Sequence, residues 1–161
     1  MRKKVGFIAL LLMGVAASAN AAPQCYRASE IEAEQAMRYQ AKLMVLSDAC
    51  HSDSYSEFIH RNSAVIIDYQ HKLIARFRRS AGRHAENVFD RFLTRLANQY
   101  ALGAGQQSVA TLCSESAGFL RKAQHFSARE FRHFMARQVA EEHRSYRSCA
   151  DRSARNTFTR D

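Results

Sequence analysis

Residues Glu30–Cys50 read EIEAEQAMRYQAKLMVLSDAC, and this stretch decides the fold. It contains no proline or glycine and is rich in Ala, Glu, Gln, Leu and Met, which favour helix. Its apolar residues form two stripes at helical spacing, one through Met37 and Ala41 and another through Tyr39 and Leu43. A helix that is apolar on two sides must be covered on two sides. The stretch therefore predicts a central helix around which the rest of the chain packs.

Four further segments carry apolar residues at three- to four-residue spacing, which indicates helix. Three of the five segments, the first included, begin at a Ser-x-x-Glu sequence, in which the hydroxyl and the carboxylate satisfy free amides at a helix start. These capping boxes are Ser29 with Glu32, Ser54 with Glu57, and Ser127 with Glu130. We predict helices at about residues 30–50, 55–80, 84–102, 107–124 and 128–149. The predicted fold class is all-α, a disulfide-stapled bundle of four to five helices packed around a central first helix.

Residues 1–21 have the three parts of a bacterial export signal. Three basic residues at 2–4 precede an apolar run at 5–15, and Ala19-Asn20-Ala21 supplies a small-x-small cleavage site. The apolar run is shorter than the roughly 20 residues that span a bilayer. We expect cleavage near Ala21, a periplasmic or secreted location, and no transmembrane segment in the mature form.

The mature chain is expected to form one helical domain over residues 22–149, followed by a flexible basic tail at 150–161. Residues 1–21 hold three of the 24 basic residues and none of the 15 acidic ones. The mature chain therefore carries 21 basic and 15 acidic groups, a net charge of +6.

Four cysteines, an even number in an exported chain, predict two disulfides: Cys25, Cys50, Cys113 and Cys149. Their wide spacing lacks the close pairs that zinc sites and redox motifs use. A helix from Glu30 to Cys50 is about 30 Å long, whereas the Cα atoms of a disulfide lie about 4.4–6.8 Å apart. We therefore exclude a bond between Cys25 and Cys50.

Two pairings remain, and the break at Gly103-Ala104-Gly105 distinguishes them. If the break only kinks a long third helix, four antiparallel members result, and Cys50 pairs with Cys113 while Cys25 pairs with Cys149. If the break reverses the chain, the fifth helix runs parallel to the first, and Cys50–Cys149 with Cys25–Cys113 fits better. We favour the first pairing, because Cys113 faces inward on its helix.

Two Glu-x-x-His motifs, Glu57–His60 and Glu130–His133, resemble half of a ferritin-like di-iron site. Each motif falls opposite the apolar stripe of its helix, and each glutamate also fits a helix cap, so we disfavour a di-iron centre. The sequence has no haem-attachment, glycine-rich phosphate-binding or hydrolase motif. We expect no cofactor and favour a binding protein over an enzyme, with a metal-binding or enzymatic bundle as the alternative.

Basic residues cluster at the junctions of helices 2–3 and 4–5. If successive helices alternate in direction, both junctions lie at one end of the bundle and form a single basic pole. Its members are Arg76, Arg78, Arg79, Arg83, Arg121, Lys122, Arg129 and Arg132. Such a pole suits an acidic protein or an anionic envelope component. Nucleic acid is not expected, since no surface interleaves cations with stacking aromatics. The predicted function is that of an exported helical binding protein with an immunity, inhibitor or chaperone-like role.

Overall fold

The computed structural model describes residues 25–142 together with Tyr146 and Cys149. Its helices are α1 (Ala28–Ala49), α2 (Ser54–Ala81), α3 (Ala85–Ala104), α4 (Val109–His125) and α5 (Ala128–Glu142), with a 3-10 turn at Gly82–His84. The predicted all-α, disulfide-stapled bundle is confirmed. The prediction that the last helix continues to residue 149 is wrong, because Tyr146 and Cys149 lie in bends. The predicted signal at 1–21 and the predicted tail at 150–161 lie outside the described residues.

Helix α1 is central and contacts the four other helices. Its fully buried residues lie on both predicted stripes, among them Met37 on one and Leu43 on the other. Helix α2 runs antiparallel to α1, because Tyr55 contacts Gln40 while Arg79 contacts Glu30, and it also contacts the four others. The α1–α2 pair therefore forms the framework against which α3, α4 and α5 pack. The chain turns from α2 to α3 at Gly82, whose φ of 53° is a conformation that favours glycine.

Helix α3 runs parallel to α1, because Leu93 lies beside Met37 while Ala104 lies beside Ala49. The chain then reverses between α3 and α4, so the break at residues 103–105 does not merely kink a long helix.

Helices α4 and α5 both run opposite to α1. Helix α4 starts near Cys50, and the ring of Phe119 further along it lies 4.8 Å from that of Tyr39. Tyr146, which follows α5, accepts a hydrogen bond of 2.9 Å from Gln35, one turn nearer the start of α1. The assumption that helices 4 and 5 alternate in direction is therefore wrong.

The disulfides join Cys25 to Cys149 and Cys50 to Cys113, with Cα–Cα distances of 4.8 and 5.5 Å. The favoured pairing is confirmed, and Cys25 is not joined to Cys50. The route to this pairing differs from the expected one: the chain reverses after α3, and α5 then continues in the direction of α4. The last cysteine consequently still reaches the start of α1.

A buried amide holds the break between α4 and α5. Asn62 is 0% exposed, and its Nδ2 donates to the carbonyls of Phe58 at 2.9 Å and Phe126 at 3.1 Å. Helix α5 then begins with the predicted capping box. The Ser127 amide donates to the Glu130 carboxylate at 2.9 Å, and the Glu130 amide donates to the Ser127 hydroxyl at 3.3 Å. The carbonyl freed at the end of α4 thus has a partner on α2.

The other two predicted capping boxes are not formed. Helix α1 begins one residue before Ser29, and the amide of Arg27 donates to the Glu30 carboxylate at 3.0 Å. Helix α2 begins at Ser54 itself, and Asp53 is its N-cap residue. Helix α1 therefore starts two residues, and α2 one residue, before the predicted cap would allow.

An aromatic cluster fills the core where α1, α2, α4 and α5 meet. The Tyr39 ring lies 4.8–6.1 Å, between centroids, from five phenylalanines: Phe58, Phe119, Phe126, Phe131 and Phe134. Aromatic pairs at these distances add to the free energy gained from burial alone. The cluster fixes the positions of α4 and α5 on the framework.

Candidate functional site

Two of the four basic-pole residues at the α2–α3 junction are engaged within the fold. Arg79 donates two hydrogen bonds, of 2.6 and 2.8 Å, to the carboxylate of Glu30, which is 3% exposed. The guanidinium of Arg76 lies 3.7 Å from the ring centroid of Tyr26. These contacts hold the end of α2 against the start of α1. The remaining two members at this junction are exposed: Arg78 and Arg83.

The charge on Glu30 is stabilised by its partners. Burial alone would raise the pKa of Glu30, but hydrogen bonds from the Arg79 side chain and the Arg27 amide outweigh it and lower the pKa below its ordinary value of 4.5. The hydrogen bond to Glu30 in turn raises the pKa of Arg79. Arg79 therefore forms an ion pair with Glu30 inside the fold and is not a free cation of the predicted pole.

Arg132, from the other half of the pole, is also paired. It donates to Asp68 at 2.8 Å, and Lys72 donates to the same carboxylate at 2.9 Å. Both hydrogen bonds lower the pKa of Asp68, and the one from Lys72 has the larger effect. Asp68 precedes Arg79 on α2 by eleven residues, or about 16 Å along the helix. The two junctions lie at different levels of the bundle, and the eight residues do not form one pole.

A groove of about 550 Å³ opens between the end of α4 and α5 as far as Arg137, and we call it the basic groove. Its lining residues are Lys122, His125, Phe126, Arg129, Glu130, His133 and Arg137. Two of these, Lys122 and Arg129, belong to the predicted pole, whereas Arg121 on α4 is exposed outside the lining.

Three lining residues were missed by the sequence reasoning: His125, His133 and Arg137. A signal for two of them was present, because Arg129, His133 and Arg137 follow one another at four-residue spacing. Residues four apart on a helix are neighbours on one face. The three side chains therefore form a row along α5.

The groove presents positive charge that the fold does not neutralise. The Lys122 ammonium lies 4.1 Å from the ring centroid of Phe134, which places it against the groove wall through a cation–π contact. Neither Arg129 nor Arg137 forms an ion pair with another described side chain. Guanidinium groups bind carboxylates and phosphates through paired hydrogen bonds. An anionic ligand would therefore meet cations on both walls.

Glu130 is the carboxylate in the lining, and it already has partners. The hydroxyl and the amide of Ser127 both donate to it at the start of α5. The hydrogen bond from the Ser127 side chain, followed by that from its backbone, lowers the pKa of Glu130. This carboxylate serves as a helix cap and stays charged, and the nearby Arg129 also lowers its pKa. One negative charge therefore faces Lys122, Arg129 and Arg137, and the lining keeps a net positive charge.

The two Glu-x-x-His motifs lie on exposed surfaces. Glu57 and His60 are exposed on α2, where Glu57 lies 3.6 Å from Arg61. The second motif supplies the cap Glu130 and the groove residue His133. Across residues 25–142, with Tyr146 and Cys149, no three His, Cys, Asp or Glu side chains are grouped so that they could hold a metal ion.

Within the same part of the chain, no helix combines the length and the apolar character needed to cross a membrane. No protein-family model matches the sequence, and comparisons with curated proteins and with solved structures also found no similar protein.

Proposed function

We propose that this chain is an exported periplasmic protein that acts by binding, and that its basic groove receives an acidic segment of a partner protein. One observation carries the proposal: cations and imidazoles from α4 and α5 line a single open groove whose carboxylate is held by a helix cap. Charge of one sign in a cleft attracts an oppositely charged partner. An immunity, inhibitor or chaperone-like role is consistent with such binding.

The shape of the groove favours a protein segment over a membrane surface. The row of Arg129, His133 and Arg137 repeats every four residues, or about 6 Å. An acidic helix presents carboxylates at the same spacing. A recess between two helices also encloses a narrow segment, whereas a bilayer presents a broad, flat surface. Anionic lipid is therefore the alternative ligand.

Export is supported by the signal-like residues 1–21 and by two disulfides, which persist in oxidising compartments. We expect the periplasmic form to begin at Ala22. Mass spectrometry of a periplasmic fraction measures this directly, and a protein that retains Met1 would contradict export by this route.

The binding proposal is tested with a fluorescein-labelled decaglutamate peptide and fluorescence anisotropy. Wild-type protein should bind the peptide with an affinity that falls as salt rises. The groove variant is Lys122→Glu/Arg129→Glu/Arg137→Glu, and we expect it to bind at least about tenfold more weakly.

A control variant makes the same change in net charge at exposed positions outside the groove. It is Arg78→Glu/Arg91→Glu/Arg95→Glu. The control should retain affinity within about threefold of wild type, since its cations do not line the groove. An equal loss in both variants would show that net charge, and not the groove, determines binding. Wild-type binding to phosphatidylglycerol vesicles without binding to the peptide would assign the groove to lipid instead.

A further inference from the structure

A second surface lies at the end of the bundle that carries the Cys50–Cys113 disulfide. Three large apolar side chains are exposed there: Met44 at 38%, Leu102 at 74% and Val109 at 61%. Met44 and Val109 line a groove of about 750 Å³ between the ends of α1 and α3 and the start of α4. Exposed apolar side chains gathered around a groove are typical of a binding surface.

This groove continues along the seam between α1 and α3. Met44 also lines a second cavity, of about 370 Å³, together with Met37, Ala41, Leu93 and Ala97. We call the two cavities together the apolar groove. From Met37 to Met44 and on to the end of α1 it covers about three helical turns, or roughly 17 Å. Alanines on both helices leave room for a backbone to approach closely.

The charged side chains that line the apolar groove are acidic, and the neighbouring cavity on the α4 side holds one cation, Lys42, and one carboxylate, Glu115. Asp48 is the charged side chain that lines the larger cavity, and an adjoining cavity that also includes Met44 contains Asp48, His51 and Asp53. No lysine or arginine lines the apolar groove or this adjoining cavity. In a chain with excess positive charge, this face is therefore complementary to a cation at one end of an apolar ligand.

We propose that the apolar groove binds an amphipathic helical segment of another polypeptide. The segment would be about three turns long, with its apolar face against Met44 and Val109 and a Lys or Arg at the end that meets Asp48. This site is separate from the basic groove and binds a ligand of opposite charge. It gives the protein a second binding activity, toward apolar segments with a basic flank.

The probe is a fluorescein-labelled peptide of about 14 residues, built from Leu and Lys at amphipathic helical spacing. A matched neutral peptide has Gln in place of Lys, so that the basic groove attracts neither peptide. We expect wild-type protein to bind the lysine peptide at least about tenfold more tightly than the glutamine peptide, because Asp48 and Asp53 attract the lysines. This preference would oppose the net positive charge of the protein. Equal affinity for both peptides would overturn the proposal.

Two variants locate the site. Met44→Lys/Val109→Lys replaces exposed side chains of the groove and should weaken binding of the lysine peptide at least about tenfold. Ser63→Lys/Ile67→Lys adds the same charge to an exposed face of α2, where Ile67 is 49% exposed, and should change affinity by less than about twofold. Equal affinities for the two variants would place binding elsewhere and overturn the proposal.

Charge complementarity and self-association are tested separately. Asp48→Lys should reduce affinity for the lysine peptide and change affinity for the glutamine peptide by less than about twofold, because it reverses the charge in the larger cavity. Sedimentation velocity of the wild type should show a monomer. Self-association that Met44→Lys abolishes would instead identify the groove as an interface between two copies and overturn the proposed occupant.

Discussion

Asn62 should contribute to stability through one hydrogen bond that crosses the fold. Its amide is fully buried and donates to the Phe126 carbonyl, 64 residues later in the chain. Asn62→Leu removes this donor and leaves a buried carbonyl without it, which costs about 1–3 kcal/mol. The buried Oδ1 of Asn62 has no partner among the described residues, so its removal should place the cost toward the lower end of that range. Asn62→Ala adds a small cavity, at about 24 cal/mol per Å³, and should cost about 2–4 kcal/mol in total.

Urea unfolding followed by circular dichroism, with both disulfides intact, measures these losses as changes in the free energy of unfolding. Asn98→Ala, an exposed residue of α3, is the matched control and should change stability by less than about 0.5 kcal/mol. If Asn62→Ala and Asn98→Ala have the same stability, the amide does not hold the α4–α5 break as the structure indicates.

The same substitution has a functional consequence. Phe126 is part of the basic groove and of the aromatic cluster around Tyr39. Releasing its carbonyl should allow the end of α4 to shift relative to α5. Asn62→Leu is therefore expected to weaken binding of the decaglutamate peptide several-fold, although none of the charges in the groove is altered. Unchanged peptide affinity in a destabilised Asn62→Leu protein would show that the break and the groove are independent.

Three further predictions concern stability. Tyr39→Phe should be neutral or stabilising by up to about 1 kcal/mol, because the buried hydroxyl of Tyr39 has no partner among the described residues. Tyr69→Phe loses a hydrogen bond to a carboxylate of α1 and should cost about 1.5–3 kcal/mol. A larger cost for Tyr39→Phe than for Tyr69→Phe in urea unfolding would contradict this. Replacing both Cys50 and Cys113 by serine should lower the free energy of unfolding by about 4 kcal/mol. This value is the chain-entropy estimate for the loop of 63 residues that the disulfide closes in the unfolded chain. A loss under about 1 kcal/mol would argue against stabilisation through the unfolded chain. The pKa of Glu30 is lower in the folded protein than its ordinary value of 4.5, so the ionised carboxylate stabilises the fold above pH 4.5. This stabilisation is lost as the pH falls toward the folded pKa, and Glu30→Gln should therefore lose less stability than wild type over that range. Identical acid unfolding profiles for the two proteins would refute the ion pair between Glu30 and Arg79.

Helix positions and the exclusion of a Cys25–Cys50 bond could be predicted because both depend on local signals, whereas the choice between the two remaining pairings depended on helix directions. Apolar spacing identified the helices, and the length of α1 excluded a bond between Cys25 and Cys50. The two apolar stripes of α1 also predicted its central place. These features depend on residues close in sequence or on simple distances along a helix.

Helix direction and the use of charges could not be predicted, because they depend on contacts between distant residues. Asn62 and Phe126 are 64 residues apart, and the bond between them lets α5 continue in the direction of α4. Arg79 is taken by Glu30, which lies 49 residues away. No local pattern distinguishes such a paired arginine from a free one such as Arg129. The row of Arg129, His133 and Arg137 on α5 was visible in the sequence as a four-residue spacing. The position of Lys122 and His125 on the opposite side of the groove was not.

The most direct test of the proposed function is an NMR titration of the isotopically labelled protein with the decaglutamate peptide. Amide signals measured residue by residue report where the peptide binds without altering the protein. We predict saturable shifts confined to the basic groove, from Lys122 to Arg137, with little change near Arg78 and Arg83. Shifts concentrated at the α2–α3 junction, or spread over all exposed cations without saturation, would contradict it.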